Sequence, residues 1–145
     1  MSEVTIRTAV IDDAAHVADL SGILGYPVHA ETMRQRLERV LASNAHTVFV
    51  AELDNRIVGW TETAEGEILV ADRWCEIKGL VVADGQRGRG VGRKLVEAVE
   101  QWARSRGLDQ VSVRSNVIRS ESHPFYERIG YERFKTQHAY RKRVS

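Results

Sequence analysis

The apolar positions of this chain fall into two rhythms. VTIRTA (Val4–Ala9) alternates with period two and predicts a strand. Val17, Leu20, Ile23 and Leu24 then return at helical spacing, behind Asp12 and Asp13 as candidate caps and ahead of a Gly25-Tyr26-Pro27 stop. A second helix is expected from about Glu31, with Met33, Leu37, Val40 and Leu41 on one face. HTVFVAEL and RIVGWTET read as strands joined by Asp54-Asn55, a two-residue turn without the favoured glycine. WCEIKGLVV is a third strand-like run.

Helical spacing resumes at Val91, Leu95, Ala98, Val99 and Trp102, and Gly107 is placed to end that helix. QVSVRS alternates again. SHPFYERIGY predicts a short helix with Pro124 in its first turn and Gly130 at its end. RFKTQ and AYRKRV are expected as two closing strands. The order is β-α-α-β-β-β-α-β-α-β-β. The crossover from WCEIKGLVV through a helix to QVSVRS requires a parallel pair, and the remaining strands suit antiparallel neighbours. The fold class is therefore α+β: a mixed, mainly antiparallel sheet with helices on both faces.

A chain of 145 residues with 43% apolar and 28% charged positions is expected to form one domain, residues 1–145, without linker or repeat. No apolar run approaches a membrane span, and the opening MSEVTIRTA lacks the pattern of a secretion signal. The single cysteine, Cys75, excludes an internal disulfide and suits a reducing cytoplasm. The five histidines show no metal-ligand spacing, so no metal is expected. A net charge of +1 argues against a nucleic-acid binder. Charge is nevertheless divided along the chain, −7 over residues 1–85 and +8 over residues 86–145.

The basic half begins at GQRGRGVGRKL (Gly85–Leu95), with four glycines and four basic residues. Strand before and helix after make this a physical anion trap. Glycines admit close backbone approach, and a helix N-terminus offers unpaired N–H groups with a partial positive charge. A Walker loop is excluded because Gly88 and Gly92 are one position too close and Arg93-Lys94 follows. A dinucleotide fingerprint is disfavoured because Gly88-x-Gly90-x-Gly92 is wrongly spaced and Asp109 precedes the next strand. The remaining pattern is R-x-x-G-x-G: Arg87, Gly90 and Gly92.

With GLVV before it and SNVIRSESHPFYERIGYERF after it, that pattern resembles the GNAT superfamily of acyl-CoA-dependent N-acyltransferases. The order of elements agrees over nearly the whole chain, and the specific motifs lie in residues 76–132. The resemblance implies a GNAT-like fold in which the fourth and fifth strands splay apart around a pantetheine arm. Backbone groups of Leu80, Val81 and Val82 would bond the pantetheine amides, with a bulge at Gly79. The loop Arg87, Gly88, Arg89, Gly90, Val91, Gly92 and Arg93 would hold the pyrophosphate of CoA. Asn116 would touch the pantetheine, or shape the turn after the fifth strand.

By the same resemblance Tyr126 is the candidate general acid for the departing thiolate, and Glu76 the candidate base. Period two places Glu76 and Leu80 on one strand face and Cys75 on the other, which disfavours Cys75 as an acyl carrier. Glu62 is the second candidate base. Tyr26, Trp60 and Trp74, with Tyr140 as a fourth aromatic, are the expected acceptor surroundings; each is equally good as a core residue. The implied activity is transfer of acetyl from acetyl-CoA, a co-substrate, to a small-molecule primary amine, directly in a ternary complex. A cytoplasmic enzyme follows, with no nucleic-acid or membrane partner and room for a homodimer. The alternatives are a non-catalytic acyl-CoA sensor and a protein or peptide N-acetyltransferase.

Overall fold

A computed structural model of the chain describes residues 3–86, 90–114 and 122–145. The opening alternation forms β1 (Thr5–Thr8). Helices α1 (Ala14–Ser21) and α2 (Ala30–Leu41) follow. Strands β2 (His46–Leu53), β3 (Arg56–Ile68) and β4 (Ala71–Val82) come next, then α3 (Val91–Ser105), β5 (Val111–Val113) and α4 (Ser122–Arg128). The five strands make one sheet in sequence order, antiparallel from β1 to β4, with β5 parallel to β4. No described helix is long and apolar enough to cross a membrane.

Two layers of side chains seal the sheet. On one face Val17 and Leu20 of α1 and Leu37 of α2 pack with Val48, Val50, Trp60 and Val81. On the other, Val91 and Leu95 of α3 pack with Ala51, Leu53 and Val58. Each fully buried branched side chain stabilises the fold by about 1.5–3 kcal/mol, which makes these two stripes the main reason the helices dock. Gly59 admits α3 closely: a Cβ there would lie 3.1 Å from Val91 and 3.2 Å from Leu95. The hairpin turn forms as expected, with Asp54 and Asn55 both left-handed at φ 52 and 63. Short polar side chains tolerate that region best after glycine.

Several expectations need correction. Asp13 does not cap α1. Its carboxylate instead accepts Arg7 Nη1 at 2.8 Å and Nη2 at 2.9 Å, and the Val10 amide at 2.8 Å, so it ties β1 to the turn before α1. Helix α1 stops at Ser21, leaving Ile23 exposed in the turn that follows. Strands β3 and β4 run beyond the alternating segments, to Ile68 and from Ala71, because hairpin pairing continues past the buried stretch. RFKTQ and AYRKRV form no strand: residues 132–145 are exposed throughout and enter no ladder. A period-two pattern supplies only one side of a sheet; the pairing strand must come from elsewhere.

The chain divides into two compact units, Met1–Arg114 and Ser115–Ser145. The sheet, α1, α2 and α3 belong to the first, α4 and the exposed segment to the second.

Candidate functional site

β4 carries a bulge at its centre. Ile77 pairs with Thr63 and Gly79 pairs with Glu62, so Lys78 has no partner across the ladder. The extra residue reverses the alternation along β4. Glu76 and Leu80 therefore lie on opposite faces, contrary to a straight period-two count. Leu80 packs toward the α3 side, whereas Val81 joins the core under α1 and α2.

Two threonines of β3 hold the bulge. Thr61 Oγ1 donates to the Gly79 carbonyl at 2.7 Å, and Thr63 Oγ1 donates to the Glu76 carbonyl at 2.8 Å. Both threonines are wholly buried. The Cys75 sulfur sits 3.0 Å from the Thr63 hydroxyl, whose one proton is already committed, so the thiol donates there. Burial pushes the Cys75 thiol above its ordinary pKa. Cys75 lies on the face opposite Glu76, as expected. Neither threonine was singled out from the sequence. The signal was present, since Thr-x-Thr in a buried strand needs two acceptors.

The register gathers four of the expected residues on one sheet face, the one covered by α1 and α2. Trp60 is opposite Val81, Glu62 opposite Gly79, Glu76 opposite Ala64 and Trp74 opposite Gly66. Glu62 and Glu76 are diagonal neighbours there, both half-buried. Glu76 has Lys78 Nζ at 3.9 Å. The Trp60 ring lies across Gly79, where a Cβ would approach it to 3.2 Å. Trp60 is buried, and its indole N–H has no hydrogen-bond partner among the described residues. Trp74 lies against Gly66, further along the hairpin. Tyr26 is exposed in the loop between α1 and α2.

Beyond the bulge the described residues give β4 no partner on its β5 side. Its last pair with β5 is Ile77 with Val113, and Leu80, Val81 and Val82 have no β5 partner among the described residues. Helix α3 begins just past this open edge. Gly90 is its N-cap at φ 77, with no side-chain cap, and no acidic residue occupies the first turn. The amides of Val91, Gly92 and Arg93 thus head a helix whose positive end is left uncompensated by its own side chains. Arg93 pairs loosely with Glu97 at 3.4 Å. Arg87, Gly88, Arg89 and Asn116 lie outside the described residues.

In the second unit, α4 presents Tyr126 with its ring edge-on to Phe125 at 5.0 Å and to Tyr131 at 6.0 Å. The Tyr131 amide bonds back to the Tyr126 carbonyl at 2.9 Å, and Gly130 at φ 100 makes the reversal. Desolvation pushes the Tyr126 phenol up to about 12. Tyr140 is exposed in the same unit.

A sequence model described as the Acetyltransferase (GNAT) family matches residues 14–131. An aminoglycoside N(6')-acetyltransferase type 1 of Stenotrophomonas maltophilia is 31% identical, over 88% of this chain and 86% of its own. The enzyme of the same name from Serratia marcescens is 26% identical, over 77% of this chain and 80% of its own. Among solved structures, an aminoglycoside N-acetyltransferase in complex with CoA superposes with a TM-score of 0.88 at 22% identity, covering 99% of this chain and 97% of that one. The open edge of β4 and the uncapped start of α3 sit within the matched segment. The chain belongs to the GNAT family of acetyltransferases.

Proposed function

We propose that residues 1–145 work as one cytoplasmic domain that moves acetyl from acetyl-CoA to a primary amine of a small cationic molecule, directly in a ternary complex. The observation that carries this reading is the bulge at Lys78. Before it Glu76 shares a face with Glu62, and beyond it Leu80–Val82 have no β5 partner among the described residues. The open edge offers N–H and C=O groups in the extended spacing that pantetheine amides require. The αL start of α3 at Gly90, with Val91, Gly92 and Arg93 and by resemblance Arg87, Gly88 and Arg89, suits a pyrophosphate. The donor supplies a thioester carbonyl for attack.

An ammonium acceptor must lose a proton before it attacks. Glu76 is the assigned base, with Glu62 beside it on the same face as second carboxylate and as a partner for positive charge. Tyr126 stays protonated at working pH and is the assigned proton donor to the departing sulfur. The two relatives named as aminoglycoside N(6')-acetyltransferases support an acceptor of that polyamine class.

The test is thioester consumption with a panel of aminoglycosides, simple diamines and peptide amines, after CoA binding has been measured. The expected result is turnover with a polyamine. CoA binding without turnover on any amine would make the chain a sensor. Preference for peptides would move it to the protein-directed class. For the base, Glu76→Gln should lower kcat roughly 100-fold or more with CoA binding kept. If that variant keeps full kcat and Glu62→Gln loses it, the two roles are reversed.

A further inference from the structure

The direction of each backbone group along the end of β4 follows from its pairing with β3. Just past the strand, the Ala83 amide donates to the Val58 carbonyl at 2.8 Å, so Ala83 turns its groups toward β3. In an antiparallel pair the N–H and C=O of one residue point to the same side, and the side alternates along the strand. Val81 therefore also faces β3, and its carbonyl oxygen lies 3.0 Å from where a Cβ on Gly59 would stand. Gly79 faces the same way, because its carbonyl accepts Thr61 Oγ1 at 2.7 Å. Leu80 and Val82 face the opposite side, where they have no β5 partner among the described residues. The Gly79–Leu80 peptide is trans, so its C=O and N–H point opposite ways. The bond that Thr61 makes at one end of this peptide fixes where the Leu80 N–H points at the other. Thr61 is wholly buried and stands opposite Leu80 in the ladder. A hydroxyl that donates to a peptide carbonyl also polarises the peptide and makes its N–H the stronger donor.

We propose that Thr61 is a positioning residue for acyl transfer: through the Gly79–Leu80 peptide it aims and strengthens the Leu80 N–H toward the carbonyl oxygen of the donor thioester. The inference rests on the acetyl-CoA reading above, which sets the phosphates at the start of α3 and runs the arm back along β4 from Val82. The thioester then arrives at Leu80, the first outward amide after the bulge at Lys78. Attack by the amine nitrogen forms a C–N bond and moves the carbonyl π pair onto oxygen. That pair returns as the C–S bond breaks, and the sulfur leaves with the electrons of that bond. The nitrogen gives its surplus proton to the base, and the sulfur takes one from the proton donor. The charge on oxygen exists only between these two events, so a donor already aimed at it stabilises that state more than the bound thioester. A hydroxyl that served folding alone would have no effect on the electronic state of a bound donor.

The test begins with unaltered protein and acetyl-CoA carrying a heavy-carbon label at the thioester carbonyl. Infrared difference spectra are expected to place the carbonyl stretch of the bound donor below that of free acetyl-CoA. The Leu80 amide proton is expected to shift downfield when acetyl-CoA replaces CoA. Thr61→Val should bring the stretch back toward its free value and lower kcat about tenfold with acetyl-CoA affinity nearly unchanged, less than the roughly 100-fold or more that direct loss of such a donor costs. Thr61→Ser keeps the hydroxyl and should keep both the lowered stretch and most of kcat. A folded Thr61→Val protein with unchanged stretch and kcat overturns the proposal. So does an unshifted stretch with an unmoved Leu80 amide in unaltered protein that binds acetyl-CoA, a result that needs no variant to fold. Failure of the unaltered protein to bind acetyl-CoA at all would overturn the donor reading and this role together.

Discussion

The Thr63 hydroxyl donates to the backbone carbonyl of Glu76 at 2.8 Å, across the ladder from the bulge that turns Glu76 toward α1 and α2. One buried side chain thus holds the peptide group of the candidate base. Thr61, two positions earlier on β3, does the same for Gly79. The side-chain order of β4 rests on these two bonds as much as on the ladder itself.

Thr63→Val should therefore do two things. It leaves the Glu76 carbonyl without its side-chain donor and costs about 1–3 kcal/mol of stability. It should also lower kcat more than it raises the KM for acetyl-CoA, because the proposed cofactor edge lies beyond Gly79. Thermal unfolding and steady-state kinetics on one preparation check both. Equal stability and full activity would mean the bulge is held by the ladder alone.

Tyr126 leads to a pH prediction. A proton donor works only while protonated, and burial raises its pKa to about 12. Activity at high pH should stay level through pH 10, with no falling limb from an ordinary tyrosine. Tyr126→Phe should lower kcat roughly 100-fold across that plateau. A falling limb near pH 10 in the unaltered protein that is absent from the variant would show that the phenol is not desolvated during turnover.

Asp13 governs part of the acid stability. Arg7 beside it, together with the Val10 amide, holds its carboxyl below the ordinary 3.8, although burial opposes this. A depressed folded pKa gives stability that is complete above the unfolded value and is lost as pH falls through the folded one. Asp13→Asn should cost about 2 kcal/mol at neutral pH, and the difference from the unaltered protein should shrink below pH 4. Denaturant titrations at pH 7 and pH 3 make the comparison. Glu65, lowered by Arg106 and then by Arg73, should act in the same direction at the far end of β3.

Cys75 should be a bystander. It is fully buried, its pKa is raised by burial, and it faces away from Glu76. Iodoacetamide should label it only in unfolded protein, and Cys75→Ala should keep kcat within about twofold. Loss of turnover in a folded Cys75→Ala protein would reopen a covalent route.

The hydrophobic rhythm determined much of this protein without coordinates. Val17, Leu20 and Leu37 needed a cover on one sheet face and Val91, Leu95 and Val99 on the other, so helices had to flank a sheet. The crossover from WCEIKGLVV to QVSVRS had to give a parallel pair. The glycine-rich start of α3 was legible because an anion cradle depends on local backbone conformation, and glycine carries that information in its identity. The face on which Glu76 lies was not legible. It depends on Lys78 standing unpaired in the ladder, and a bulge is a property of two strands together. Residues 132–145 show the same limit from the other side: they carry a strand rhythm, but only a partner strand can make them a strand. Local periodicity states what each segment needs to bury or pair with; tertiary structure decides what meets that need.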